Sequence, residues 1–238
     1  MRTSFRIFWT PKRGNTSDEY EDAFWPPEPL DLHSKLLRFA IADGATETSF
    51  AGSWAQILTR AYCRDRLNQK KILRSLPRLQ KEWRSSIGKQ QLPWYAEQKL
   101  SQGAFATLLG LTLLDGVWQS TSIGDSCLFQ IRGNSVVTAF PMTSWQDFNN
   151  RPPLLSSNKR NWTEEVAHAS HASGAWENSD VFYLMTDAMA CWFLRSLQEG
   201  QRPMDVLDQV EGFDNWIDSL RDRGMRNDDV TLLRISVY

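Results

Sequence analysis

The sequence predicts an α+β fold built from stacked layers, in which strands cluster along the chain and helices are inserted between the clusters. Short runs that are apolar, or that alternate apolar with polar residues, end at turn residues, which is typical of strands. Two stretches, 53–87 and 190–221, instead repeat apolar residues at helical spacing. Because strands and helices do not alternate strictly, a doubly wound parallel sheet is disfavoured. Without an internal repeat or a visible linker, residues 1–238 are expected to form one domain.

Nine strands are predicted, each bounded by Gly, Pro, Asn or Asp. In chain order they are residues 5–9, 21–25, 36–42, 103–114, 117–123, 127–131, 136–140, 181–186 and 230–237. Turn residues separate the four strands between 103 and 140, which predicts one antiparallel meander. Residues 141–179 are rich in Ser, Asn, Pro and Trp, and we expect a long, partly ordered connection there.

Four helices are predicted from the helical spacing. Two follow each other between residues 53 and 87, where Pro77 is expected to mark a break or a kink. The other two are residues 190–197 and 204–221. Within the first pair, residues 60–89 contain ten basic and two acidic residues. A solvated helix face is the ordinary explanation of such a run, and a docking surface for an acidic partner or a phosphorylated substrate is the functional one.

The composition is that of a folded globular protein, with 41% hydrophobic and 12% aromatic residues. Lys and Arg number 27 and Asp and Glu number 28, so the net charge of −1 excludes the overall basic signature of a dedicated nucleic-acid binder. The N-terminus lacks the apolar run of a signal peptide, and no stretch approaches the roughly 18 apolar residues of a membrane span. We therefore expect a cytoplasmic protein that contacts neither nucleic acid nor membrane.

The cysteines and histidines do not predict a zinc site or a disulfide framework. Cys63, Cys127 and Cys191 lie far apart without a C-x-x-C pair, which fits a reducing compartment. His168 and His171 are spaced so that both rings could share a helix face. With no thiol or third histidine nearby, they are interpreted as ordinary loop histidines rather than zinc ligands.

Carboxylates stand where predicted strands begin or end, at five places: Glu21-Asp22, Asp43, Asp125, Asp187 and Asp228-Asp229. A buried carboxylate is unfavourable unless it is paired or binds a cation, and oxygen ligands select Mg²⁺, Mn²⁺ or Ca²⁺ over zinc. Any one of these acids alone is best explained as a residue that ends a strand or starts a turn. Five of them together predict a metal site.

These acidic blocks resemble, in order and spacing, the signature blocks of the metal-dependent protein phosphatases of type 2C. The blocks are Glu21-Asp22-Ala23-Phe24, Ala42-Asp43-Gly44, Ser122-Ile123-Gly124-Asp125-Ser126, Met185-Thr186-Asp187-Ala188 and Asp228-Asp229-Val230-Thr231. The resemblance spans nearly the whole chain. It implies the family's four-layer α-β-β-α sandwich, in which two antiparallel sheets are flanked by helices.

The resemblance also implies the chemistry. Asp43 would bridge two Mg²⁺ or Mn²⁺ ions, with the carbonyl of Gly44 on one of them, and Asp187 and Asp228 would hold the second. Two such ions lie about 3.5–4 Å apart and lower the pKa of a bridging water, so that hydroxide can attack phosphorus near neutral pH. The implied reaction is hydrolysis of phosphoserine or phosphothreonine on proteins, opposite a cognate kinase.

Three further roles follow from the resemblance. Glu21 or Asp22 would join the ligands of the second ion, directly or through water. Asp125 matches the family's acid for a third metal ion. The family also places a phosphate-binding arginine shortly before the first acidic block, and Arg13 is the nearest candidate, although it lies farther upstream than the pattern prefers.

The sequence departs from the family pattern at several positions. Ala45 stands where eukaryotic members carry a histidine proposed as general acid, a residue that bacterial relatives also lack. Thr186-Asp187-Ala188 replaces the usual Ser-Asp-Gly, and Asp229 replaces an asparagine. All the metal acids remain, which favours an active enzyme of the bacterial branch. The alternatives are a phosphatase-like module that binds phosphoproteins without turnover and, less favoured, a metal-dependent nuclease or small-molecule phosphoesterase.

Overall fold

The computed structural model describes residues 1–28, 31–45, 50–65, 69–87, 103–149, 151–158, 169–207 and 209–238. Within these residues, two large antiparallel sheets stack face to face and helices cover the outer face of each. This α-β-β-α sandwich confirms the predicted α+β class. None of the described helices is both long and apolar enough to cross a membrane.

Six strands form the first sheet: β1 (Arg2–Thr10), β3 (Asp31–His33), β8 (Cys127–Arg132), β9 (Ser135–Phe140), β12 (Val181–Met185) and β13 (Val230–Val237). Their hydrogen-bonded order is β3-β1-β13-β12-β8-β9. Five strands form the second sheet: β2 (Ala23–Trp25), β4 (Leu36–Ala42), β6 (Leu108–Leu114), β7 (Val117–Ile123) and β11 (Ser170–Ala175). Their order is β11-β7-β6-β4-β2, and a short ribbon pairs β5 (Phe105–Ala106) with β10 (Leu155–Ser156).

Five helices flank the sheets: α1 (Ala51–Asp65), α2 (Gln69–Ile87), α3 (Asp187–Gln198), α4 (Pro203–Leu207) and α5 (Phe213–Asp222). The first two pack on the five-stranded sheet, and the other three pack on the six-stranded sheet. Short 3-10 turns at Ser17–Glu19 and Trp145–Asp147 complete the described elements.

Strand β4 shows how side-chain alternation builds the layers. Phe39 and Ile41 point into the apolar core between the two sheets, whereas Ala40 and Ala42 face α1. The small outer-face residues let the helix approach closely. A Cβ on Gly110 of neighbouring β6 would lie 2.1 Å from the ring of Tyr62, so glycine is required there for α1 to pack.

The predicted single meander is wrong, because its four strands divide between the two sheets. The β6–β7 hairpin belongs to the five-stranded sheet and the β8–β9 hairpin to the six-stranded sheet. The chain crosses between them at residues 124–126. Gly124 makes the crossing with a φ of +105°, and a Cβ there would lie 2.5 Å from Cγ2 of Thr107. In sequence, Gly-Asp-Ser resembles an ordinary hairpin turn.

The helices differ from prediction in three ways. Pro77 lies inside α2 and does not break it, while residues 66–68 between α1 and α2 are outside the described residues. The predicted helix 204–221 is two helices, because Gly212 adopts a left-handed φ of +63° and begins α5. The helix after β12 starts at Asp187 rather than at 190. The connection 141–179 contains β11, an edge strand that pairs with β7.

Three smaller predictions can be placed. The three cysteines are free thiols, as expected. His171 lies in β11, where its Nδ1 is 3.1 Å from the Thr121 hydroxyl, and His168 is outside the described residues.

The basic stretch 60–89 is described in part, because residues 66–68 and 88–89 are outside the described residues. The exposed basic residues of α2 lie along one side of the helix: Lys71, Arg74, Arg78, Lys81 and Arg84.

Candidate metal centre

Strand pairing in the five-stranded sheet brings Asp22 and Asp43 together. Asp22 stands directly before β2 and Asp43 directly after β4. Ala23 of β2 pairs with Ala42 of β4. Because the strands are antiparallel, the start of one lies beside the end of the other, so these acids share one edge of the sheet.

The six-stranded sheet gathers three more acids at the same end of the sandwich. Asp125 precedes β8, Asp187 follows β12 and Asp228 precedes β13, and β12 pairs antiparallel with both other strands. The pKa of Asp43 is raised well above its ordinary value, first by burial and then by the negative charges of the acids around it. We call Asp22, Asp43, Asp125, Asp187 and Asp228 the carboxylate cluster.

The backbone of the Asp43-Gly44 block is fixed by close contacts. The amide of Asp43 donates to Oγ1 of Thr107 at 2.8 Å, and the amide of Thr107 donates to the carbonyl of Asp43 at 2.8 Å. A Cβ on Gly44 would lie 2.5 Å from the carbonyl oxygen of Glu21. Glycine after Asp43 therefore lets the first two acidic blocks touch.

Asp22 is buried and held by hydroxyl groups. Its Oδ2 accepts a hydrogen bond of 2.6 Å from Thr231, the second residue of β13. The hydroxyl of Tyr20 makes a further short contact with that of Thr231. Burial raises the pKa of Asp22 well above its ordinary value, and the Thr231 hydrogen bond acts in the opposite direction. Within the described part of the chain, this carboxylate is thus held by hydroxyl groups from the opposite sheet and pairs with no cation.

Glu21 and Asp229 flank the cluster and differ in role. The two carboxylate oxygens of Asp229 accept from the amides of Lys12 and Glu21, at 2.8 and 2.7 Å. Asp229 therefore fastens the loop before β2 to the start of β13. Burial, with the charge of Asp229, raises the pKa of Glu21 to about 7. Glu21 can take up or release a proton near neutral pH.

Asp125 carries a buried oxygen without a hydrogen-bond partner. The residue is 3% exposed, and Oδ1 is unpaired within the described residues. Burial and the neighbouring charge of Asp187 raise its pKa to about 7. A buried carboxylate oxygen in this condition is stabilised by a proton or by a cation.

Arg226, which sequence reasoning did not identify, joins two of the acids. Its Nη1 lies 2.5 Å from Oδ2 of Asp187, and its Nη2 lies 3.0 Å from Oδ2 of Asp228. Burial raises the pKa of Asp187, and the charge of Arg226 lowers it. In the sequence, Arg226 is recognisable as a basic residue two positions before the last acidic block. Its partner Asp187 is 39 positions away, so their pairing could not be predicted from the sequence.

The guanidinium of Arg13, the predicted phosphate-binding group, is not brought into the carboxylate cluster. It is paired with two acids of α5, since Nε lies 3.2 Å from Asp218 and Nη1 lies 2.8 Å from Asp222. Its backbone amide also donates to the side chain of Asn227 at 2.7 Å. Arg13 thus fastens the turn after β1 to α5.

The donor set of the cluster fits a hard divalent cation. The groups it offers are carboxylate oxygens, and Oδ1 of Asp125 has no hydrogen-bond partner among the described residues. As they lie, no three acidic, histidine or cysteine side chains of the described residues are arranged to share one ion. Asp187 and Asp228 are instead bridged by the guanidinium of Arg226.

A cleft of about 860 Å³ adjoins the carboxylate cluster. Asp187 of the cluster and its partner Arg226 both line this cleft. Its other walls come from α3, the 145–149 segment and α5. They are rich in aromatic side chains, namely Trp145, Phe148, Trp192 and Trp216. Arg195 and Arg223 add positive charge to the same walls. The cleft can therefore accept a group much larger than phosphate.

Known structures share this architecture. The serine/threonine phosphatase PstP/Ppp of Mycobacterium tuberculosis aligns over 100% of this chain and 99% of its own, with a TM-score of 0.60 and 15% identity. Stp1 from Staphylococcus aureus aligns over 98% and 94%, with a TM-score of 0.60 and 13% identity. A structure of the PstP catalytic domain in complex with two manganese ions aligns over 99% and 100%, with a TM-score of 0.53 and 16% identity.

At the level of sequence, no curated protein matches the chain significantly. A family model does match, and it covers residues 21–233, which include every acidic block from Glu21 to Asp229. The fold, the order of the acidic blocks and this match agree. The chain belongs to the protein phosphatase 2C family.

Proposed function

We propose that the protein is a Mg²⁺- or Mn²⁺-dependent phosphatase that hydrolyses phosphoserine and phosphothreonine on proteins. The observation that carries the proposal is the carboxylate cluster, in which acids from five separate sequence blocks converge at one end of the sandwich. The raised pKa of Asp43 reflects burial and mutual repulsion among these acids, which a divalent cation relieves. Family membership supports the same activity.

The proposed metal ligands are Asp43, with the carbonyl of Gly44, together with Asp187, Asp228, Asp125 and either Glu21 or Asp22. Two divalent ions, with a third at Asp125, would supply an activated water and neutralise phosphoryl charge. The protein's own contribution is orientation. Thr107 fixes the backbone of Asp43, and Thr231 holds the carboxylate of Asp22 by a hydrogen bond.

The cleft supports a protein as substrate. A phosphate monoester occupies only the cluster, whereas the cleft of about 860 Å³ extends from Asp187 along α3. Its aromatic walls suit apolar side chains that flank a phosphorylated residue. Arg223 lies at the same cleft and is exposed, so it can meet acidic groups of a peptide.

The test is hydrolysis of an aryl phosphate and of phosphopeptides by the purified protein with added Mn²⁺. Chelation and the Asp43→Ala variant should each abolish turnover. Asp115→Asn, in the exposed β6–β7 turn, is the matched control and should behave as wild type. Activity that survives both chelation and Asp43→Ala would reject the metal mechanism.

A second function, phosphoprotein binding without turnover, is favoured by one observation. Arg226 bridges two proposed metal ligands, and no three of the described side chains are arranged to share an ion as they lie. Tight phosphopeptide binding without metal-stimulated turnover would support this alternative.

Partners follow from the same proposal. The substrate is a phosphorylated protein, a cognate kinase acts in the opposite direction, and the cytoplasm is the proposed location. The exposed basic side of α2 is proposed to dock an acidic partner by charge complementarity.

A further inference from the structure

We propose that Arg226 competes with a metal ion for the carboxylates of Asp187 and Asp228, because its guanidinium pairs with one oxygen of each. The inference rests on the proposed function, in which these two acids are metal ligands. Arg226 would neutralise them when the ion is absent and leave when the ion binds.

The geometry shows one guanidinium shared by two carboxylates. Nη1 contacts Oδ2 of Asp187 at 2.5 Å, and Nη2 contacts Oδ2 of Asp228 at 3.0 Å. The contact with Asp187 is a short charge-assisted hydrogen bond, and the contact with Asp228 is an ion pair. An ion bound through these oxygens would have to take the place of the guanidinium nitrogens.

The partners differ in how firmly they are held. The side chain of Asp187 is 7% exposed and that of Asp228 is 16% exposed, whereas that of Arg226 is 56% exposed. The second oxygen of Asp187 accepts from the amide of Ala188 at 2.6 Å, and that of Asp228 accepts from the amide of Asp229 at 3.1 Å. The carboxylates are therefore fixed from within.

Arg226 reaches the carboxylates from the solvent side. Because Arg226 is half-exposed, its guanidinium regains water readily when it leaves, and the incoming ion would supply the positive charge that the buried Asp187 needs. Its neighbour Arg221 differs, because that side chain is 4% exposed and donates to the carbonyls of Pro11 and Asp228. Arg221 holds the loop through these carbonyls. Among the described residues, Arg226 is the one side chain that pairs with both Asp187 and Asp228.

The consequence is a reduced apparent affinity for metal. When only a fraction of molecules has both carboxylates free, the apparent dissociation constant rises by the inverse of that fraction. Two partly exposed ion pairs of this kind correspond to about a tenfold effect. Arg226 would thereby make metal occupancy respond to the metal concentration around the protein.

The experiment measures Mn²⁺ binding by calorimetry, and thermal unfolding in chelator and in Mn²⁺, for wild type, Arg226→Ala and Arg226→Gln. Arg226→Gln keeps much of the side-chain size and provides a second variant if Arg226→Ala does not fold. The control is Arg202→Ala, which removes an arginine of similar exposure (53%) whose Nε lies 3.1 Å from Asp205 and which does not line the cleft.

We expect both Arg226 variants to bind Mn²⁺ about tenfold more tightly than wild type. We also expect them to unfold at lower temperature in chelator and to gain more from added Mn²⁺. Arg202→Ala should match wild type in all three respects. Unchanged or weaker Mn²⁺ binding by the Arg226 variants would overturn the inference while leaving the metal site intact. If no protein in the series binds Mn²⁺, the proposed function fails as well.

Discussion

The two sides of the carboxylate cluster are held in different ways. Asp22 and Asp43, at the edge of the five-stranded sheet, are positioned by the neutral side chains of Thr231 and Thr107. Asp187 and Asp228, in the six-stranded sheet, are bridged by the cation Arg226. These neutral partners could stay in place when a metal ion binds, whereas a cation paired with the carboxylate oxygens would have to leave. On the proposed function, the side held by threonines would keep its partners when an ion binds, and the side held by Arg226 would have to exchange its partner.

The largest effect is expected on the neutral side, from Asp43→Ala. Removing the proposed bridging carboxylate should reduce turnover of an aryl phosphate by more than about 100-fold, which exceeds the usual effect of altering a group behind a ligand. Steady-state kinetics at saturating Mn²⁺ measure it. If Asp43→Ala retained a tenth of wild-type turnover, Asp43 would not be the central ligand.

Removing the hydroxyl of Thr107, which positions the backbone of Asp43, should have the next largest effect. Thr107→Val deletes the hydroxyl that accepts from the amide of Asp43, and we expect Mn²⁺ affinity to fall by about 10- to 100-fold. Thr107→Ser keeps the hydroxyl and serves as the control. Equal Mn²⁺ binding by the two variants in calorimetry would show that this hydrogen bond does not organise the site.

The third prediction concerns pH. Glu21 and Asp125 have pKa values raised to about 7 by burial, so both carry protons below that pH and release them when a metal ion binds. Mn²⁺ affinity should therefore rise by about ten- to a hundredfold between pH 6 and pH 8, with proton release visible in calorimetry. Asp125→Asn should make the dependence shallower. An affinity independent of pH would exclude both acids as ligands.

The same pKa values predict the opposite trend for the metal-free protein. An acid whose pKa is higher in the folded state than in the unfolded state stabilises the fold when protonated. That stabilisation is fully present below the unfolded pKa of about 4 and is lost as the pH rises through about 7. In chelator, the melting temperature should fall between pH 5 and pH 8. Added Mn²⁺ should remove much of this decline, and a melting temperature that rose instead would contradict the assigned shifts.

The smallest effect is expected from Arg13→Ala. Its guanidinium is exposed and paired with Asp218 and Asp222, and exposed ion pairs contribute little to stability. We expect KM for an aryl phosphate to change by less than about twofold, on the scale of an exposed pair. A tenfold rise in KM would instead restore Arg13 as the phosphate-binding residue of the family pattern.

Much of the fold could be predicted from local sequence. The strands at 36–42, 117–123 and 230–237 match the structure residue for residue, because each is bounded by Asp or Gly at one end or both. The division of the meander between two sheets could not be predicted in this way. It depends on the contact of Gly124 with Thr107, which lies in a different strand connection.

The candidate site, like the fold, could be predicted only in part from the sequence. The acids at strand ends were visible because an acid beside an apolar run is unusual, and antiparallel pairing then brings those ends together. Arg226 was not identified, since its role depends on Asp187, which is distant in sequence. The paired state of Arg13 was equally hidden, because its partners lie on α5 near the other end of the chain.

The crossing at residues 124–126 has a mechanical consequence. Asp125 sits on the segment that joins the sheets, while Asp22 and Asp43 belong to one sheet and Asp187 and Asp228 to the other. Ions bound by all five acids would link the two sheets and would resist sliding of one sheet over the other. Metal binding would then make the whole sandwich more rigid, including parts that are far from the atoms that bind the ions.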